Sequence, residues 1–192
     1  MRKPAVTLHR PELDRIGQIA KAAAAQHGWP GGRGESKIDR LRLGIMGEWA
    51  LCCFVGIDPY REIQYHAGHD DGIDIAVGNR SVQVKTRKKR GCDFLLPVEC
   101  YPLKAEVLVL AWRIVGPVVA VELAGWSTAA RFEEHATQPG YLNGSEDYLF
   151  ERRHFWPMAS FLAGCGVEQN TKACELVAMQ NIGAHGGVGK VY

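Results

Sequence analysis

Apolar positions recur along this chain with two different periods. Between 11 and 27, Leu13, Ile16, Ile19, Ala20 and Ala23 return every three or four residues, with Pro11 suited to a first turn. That spacing predicts a helix, and GWPGGRG at 28–34 ends it in a loop. A second helix is marked by Ser36 with Asp39 three residues on, in the manner of a capping box. Ile38, Leu41, Ile45, Trp49 and Cys52 then keep a period near 3.6 until Gly56 closes it.

From about 62 to 120 the pattern turns to strands. IDIAV (73–77), SVQVKTR (81–87) and DFLLPV (93–98) are short, β-rich and separated by Gly or Asn, and Gly78-Asn79-Arg80 suits a tight hairpin. AEVLVLAWRIV (105–115) is the strongest apolar run and predicts a central strand. Gly116-Pro117 turns it into a partner strand, VVAVELAGW (118–126). Short helices are predicted from Thr128 to about His135, with Ser127 as cap, and from Pro157 to Leu162. The order of helix, helix, several strands and helix predicts an α/β (α+β) fold with a mixed central sheet flanked by helices. Three regions follow: an N-terminal accessory helix and loop (1–34), a main domain (35–165) and a loose, Gly-rich C-terminal tail (166–192).

Composition adds limits. About 46% of the 192 residues are hydrophobic, enough for a proper core, and the net charge is only +2. Its distribution matters more. From Arg80 to Arg90 there are six cations and no acid, a local positive field suited to a polyanion. The six cysteines form no Cys-x-x-Cys pair, which gives a structural zinc site no support, and Cys52 and Cys53 read as small core residues. MRKPAVTLHRPELDR has no apolar signal region and no run approaches a membrane span, so a cytoplasmic setting without membrane contact is expected, in a bacterium or a host cell.

The candidate chemistry lies on the first strands. Alternation turns Val82 and Val84 to a core and Gln83 and Lys85 together to the other side. A hairpin at 78–80 would bring Asp74 beside them, and Glu48 sits on or beside the buried stripe of its helix, where a carboxylate needs a partner. Hard oxygen donors with an ammonium suit Mg²⁺ or Mn²⁺ and a phosphate. Each residue also has a plainer account. Gln83 and Lys85 could be a solvated strand face, and Glu48 could pair with a nearby Arg. Arg87, Lys88, Lys89 and Arg90 could only guard a strand edge. His66, His69, Asp70 and Asp71 form a run better read as a polar loop than as a zinc site. Trp126 and Trp156 read as packing residues, and Gly186 to Lys190 lacks the Walker spacing.

Gly47-Glu48 in a helix, DDGIDI with Asp74, and VQVK with Gln83 and Lys85 together resemble the PD-(D/E)XK nuclease superfamily. Asp74 precedes Lys85 by eleven residues, room for two strands and a turn. The downstream strand pair, followed by Gly-Trp-Ser/Thr opening a helix, is similar to the continuation in small phage and bacterial members. The resemblance covers about 36–164 and implies a restriction-endonuclease-like sheet and a metal-dependent deoxyribonuclease. It implies Asp74, the Gln83 oxygen and Glu48 as Mg²⁺ (or Mn²⁺) ligands and Lys85 as the group beside the reacting phosphate. Arg87, Lys88, Lys89 and Arg90 would contact DNA. Two departures stand out: Ile73 replaces the motif Pro, and Gln83 replaces its second acid, which lowers the ligand charge. Glu48 or the neighbours Asp70 and Asp71 could make up that loss. A non-catalytic DNA-binding or assembly module that kept the fold, and a structure-selective junction resolvase acting as a homodimer, are the other functions considered; nothing in the sequence marks a dimer interface.

Overall fold

The computed structural model describes residues 3–26, 37–63, 72–137, 140–142 and 145–167. The loop at 28–34, Ser36, the 66–71 run and the Gly-rich end lie outside those residues. Ala5–Leu8 forms a strand, β1, which enters the helix α1 (Arg10–Gln26). The second helix, α2 (Lys37–Val55), ends at Gly56 in the left-handed conformation at φ +78°. Ile57 N–H donates to the Cys52 carbonyl at 2.9 Å and Gly56 N–H to that of Cys53 at 3.4 Å, which satisfies the last carbonyls of the helix. A single turn, α3 (Pro59–Glu62), follows, capped by the Asp58 carboxylate.

The strands β2 (Ile75–Val77) and β3 (Arg80–Arg87) pair antiparallel across Gly78-Asn79. Gly78 carries φ +61°, and a Cβ there would stand 2.7 Å from the Cys165 carbonyl oxygen, so the turn requires glycine twice over. β5 (Val107–Val115) and β6 (Val119–Thr128) form the long hairpin. The main sheet has the order β1-β6-β5-β3-β2; β3 and β5 run parallel and every other pair antiparallel. β5 therefore lies at the centre of the sheet, as its apolar run predicts.

Alternation along β5 explains that run, because both faces are covered. Val107, Val109 and Ala111 join Val82, Val84, Ile75 and Val77 in a core with Ile16, Ile19, Ile45, Trp49 and Cys52 from α1 and α2. Leu108, Leu110 and Trp112 join Phe94, Leu96, Phe132 and Phe150 on the opposite side. That second core is closed by a small sheet of β4 (Phe94–Pro97), β8 (Ser145–Phe150) and β7 (Gly140–Leu142), in the order β4-β8-β7, and by α4 (Ala129–His135). The protein is thus a mixed α+β fold with α1 and α2 on one face of a mixed sheet and a small sheet with α4 on the other.

Several elements differ from the sequence reading. β1 is a main-sheet strand and α1 supplies core residues, so residues 3–26 help build the principal body. The 93–98 segment forms β4, but in the small sheet, where Phe94 and Leu96 pair against β8. Thr128, not Ser127, caps α4: its hydroxyl accepts from Arg131 N–H at 3.2 Å, while Ser127 is buried on β6. The 157–162 helix is a tight turn at Met158–Ser160 followed by the single turn α5 (Phe161–Gly164). Trp126 and Trp156 do pack together, with ring centres 4.8 Å apart. No helix among the described residues is long and apolar enough to cross a membrane.

Candidate functional site

Gln83 and Lys85 lie on β3 opposite Leu108 and Leu110 of β5, on the face turned to the small sheet. Val82 and Val84 point the other way, into the helix-side core. The alternation expected from VQVK is thus present. Lys85 is half-buried, while Gln83 is only 3% exposed. Its side-chain oxygen has no hydrogen-bond partner among the described residues. A buried carbonyl left unpaired costs about 1–3 kcal/mol unless a water, an ion or a ligand satisfies it, and Thr86 Oγ1, Arg113 Nε and Ser127 Oγ share that state among the described residues.

Asp74 stands one residue before β2, not inside it. Its N–H donates to the Val82 carbonyl at 2.9 Å. Its Oδ2 accepts the Val84 N–H at 2.6 Å, a charge-assisted bond that ties the carboxylate to β3 between Gln83 and Lys85 in sequence. Gly72, at φ +75°, brings the incoming chain against the Gln83 amide: a Cβ there would lie 3.7 Å from Nε2. The hairpin thus gathers Asp74, Gln83 and Lys85 along a short stretch of β3.

Glu48 stands on α2, apart from these three residues. α2 presses on β3 through Gly47, where a Cβ would fall 1.9 Å from Thr86 Oγ1 and 3.1 Å from Val84 Cγ1. Val84 and Thr86 alternate with Gln83 and Lys85, so α2 covers the opposite face of β3. Glu48 is turned about 100° round the helix from Gly47. It is the one partly exposed position between Ile45 and Cys52, all the others being buried. Its Oε1 extends back along the helix, 3.8 Å from where a Cβ on Gly44 would sit.

The basic run divides in two. Arg87 ends β3 half-buried, and Lys88 and Lys89 are exposed. Arg90 is engaged: its Nη2 lies 2.6 Å from Glu122 Oε2 and its Nε donates to Oε1 at 3.4 Å. At the other end of β3, Arg80 and Glu106 pair at 2.6 Å beside an open depression of about 360 Å³. That contact, followed by the Ser81 N–H, holds the Glu106 carboxyl below its ordinary range.

Among the described residues no three His, Cys, Asp or Glu side chains gather closely enough to hold a metal by themselves. A divalent ion here would depend on the Gln83 amide oxygen beside the Asp74 carboxylate. Hard oxygen donors fit Mg²⁺, which keeps several waters and needs few protein ligands. Asp70 and Asp71 lie outside the described residues. The chain matches no protein-family model, no curated protein and no solved structure.

Proposed function

We propose that this protein is a metal-dependent nuclease of the PD-(D/E)XK type, with a restriction-endonuclease-like sheet, that hydrolyses phosphodiester bonds in DNA in the cytoplasm. One observation carries the reading: the Gln83 oxygen is buried and, among the described residues, unpartnered on the face that Lys85 shares, with the Asp74 carboxylate fixed beside the same strand. Desolvated oxygen of this kind is a ligand in waiting, and the ammonium nearby fits the anion that such a ligand set serves.

In this account Asp74 and Gln83 would hold Mg²⁺ or Mn²⁺, with Glu48 on α2 as the third ligand that the resemblance implies. The ion would polarise the scissile phosphate and lower the pKa of a water. Lys85 places its ammonium against the phosphate oxygens, where negative charge grows as water attacks phosphorus and the P–O bond to the leaving oxygen breaks. The Asp74–Val84 hydrogen bond keeps the carboxylate from swinging away from the strand. Arg87, Lys88 and Lys89 lie just beyond Lys85 and meet flanking phosphates.

A binding module without catalysis is the second reading, favoured by the amide at 83 in place of an acid. Labelled linear, nicked, branched and single-stranded DNA, incubated with Mg²⁺, Mn²⁺ or EDTA, separates the two. Metal-dependent cutting is the expected result. Binding without cutting on every form, with cleavage appearing only in Gln83→Glu, would establish the module instead.

A further inference from the structure

One row of the main sheet adds cationic surface to the Arg87–Arg90 run. Arg87 on β3 is in register with Trp112 on β5, Trp112 with Glu122 on β6, and Glu122 with Ala5 on β1. Residues in register share a face, so this row runs across four strands on the face of Gln83 and Lys85. It lies two residues beyond Lys85, about 7 Å along the strand, and spans about 14 Å.

Three cations from distant parts of the chain meet over it. The Lys3 Nζ sits 4.0 Å above the Trp112 ring. Arg90 is clamped by both oxygens of Glu122, whose side chain is 7% exposed while that of Arg90 is 67% exposed. Arg152 donates from Nη1 to the Gly91 carbonyl at 2.8 Å, and its N–H donates to Asp93 at 2.8 Å. Lys3, Arg90 and Arg152 are all exposed. Each cation thus has its own holder: Glu122 for Arg90, the Trp112 ring for Lys3 and the Gly91 carbonyl for Arg152. Burial lowers the Lys3 pKa, Glu122 raises it, and Arg152 and Arg90 lower it further, which puts all four within electrostatic reach. Cations held this close repel one another, and a polyanion relieves that repulsion.

We infer that Lys3, held over Trp112, Arg90, held by Glu122, and Arg152, held by the Gly91 carbonyl, form a phosphate-binding patch that carries the DNA backbone from Lys85 across the sheet toward β1. The inference rests on the nuclease reading for its ligand and adds the path that the DNA takes. Arg90 serves through its exposed guanidinium edge, held by Glu122, and Lys3 and Arg152 are contacts that the 87–90 run does not contain. The row is long enough for more than one phosphate.

The test is binding of fluorescent duplex DNA by anisotropy, in EDTA to prevent cleavage, from 50 to 200 mM salt. Lys3→Gln/Arg152→Gln should weaken binding on the order of tenfold at the low-salt end and reduce the salt slope by about two, since each phosphate contact adds about 0.9. Lys3→Gln alone, which leaves the Arg152 contacts in place, should reduce it by about one. Lys104→Gln, exposed elsewhere, serves as the control. Wild-type binding with an unchanged slope in both variants would overturn the patch and leave the nuclease reading intact. A wild type that binds no duplex at any salt would overturn both.

Discussion

Replacing Gln83 with Met separates folding from function at this site. Gln83 is 3% exposed and its side-chain oxygen is unpartnered among the described residues. Removing an unsatisfied buried carbonyl should return about 1–3 kcal/mol. A near-isosteric apolar side chain costs less than about 1.5 kcal/mol through imperfect fit. The net expectation is a gain of about 1 kcal/mol, or a melting temperature about 2–4 °C higher for a chain of this size. The assay is thermal unfolding in EDTA and in rising Mg²⁺. Wild type should gain stability as the ion fills the site, by about 2.7 kcal/mol at a hundred times the dissociation constant. Gln83→Met should start higher and lose most of that gain. A variant that melts several degrees below wild type in EDTA would show that the amide oxygen is already satisfied. An unchanged Mg²⁺ response would show that it is no ligand. Either result removes the observation on which the functional proposal stands.

Other expectations follow from the packing. Gly47→Ala should destabilise by up to about 2 kcal/mol in chemical denaturation, because overpacking costs about 1–3 kcal/mol and helix propensity returns about 1. Adding Thr86→Ala, which removes the oxygen 1.9 Å from the new Cβ, should recover part of the loss. Gly78→Ala meets both a positive φ and the Cys165 carbonyl, and should lower stability by more than about 1 kcal/mol while loosening the hairpin beside Asp74. Burial pushes the Cys52 thiol up to about 12 and the Cys165 thiol up to about 11, so both should resist a disulfide reagent at pH 8 until denaturant is added.

The sequence is informative where one residue pattern serves one environment. The Gly78-Asn79 turn, the Gly56 helix stop and the β5–β6 hairpin are read correctly because glycine and an unbroken apolar run have few alternatives. Gln83 and Lys85 share a face because strand alternation allows nothing else. α2 buries more than one stripe, including Met46, Ala50 and Leu51, because it packs against α1 as well as the sheet; Glu48 is the one partly exposed position between Ile45 and Cys52. β1 is only four residues long with a partly exposed pattern, too little for a period to register. β8 has a polar start, Ser-Glu-Asp, before Tyr148 and Phe150, and its place in a separate sheet depends on β4 far upstream. The Lys3, Arg90 and Arg152 group is invisible to sequence spacing because strand register, not chain proximity, assembles it.

The central claim is that Lys85 acts on the reacting phosphate and not merely in binding. Single-turnover cleavage of labelled DNA with saturating Mg²⁺, with affinity measured in parallel in EDTA, tests it directly. Lys85→Ala should slow cleavage on the order of a hundredfold or more with only a modest loss of affinity, and Asp74→Ala should abolish metal-dependent cutting. Cleavage by Lys85→Ala at the wild-type rate would contradict the account, whatever the fold.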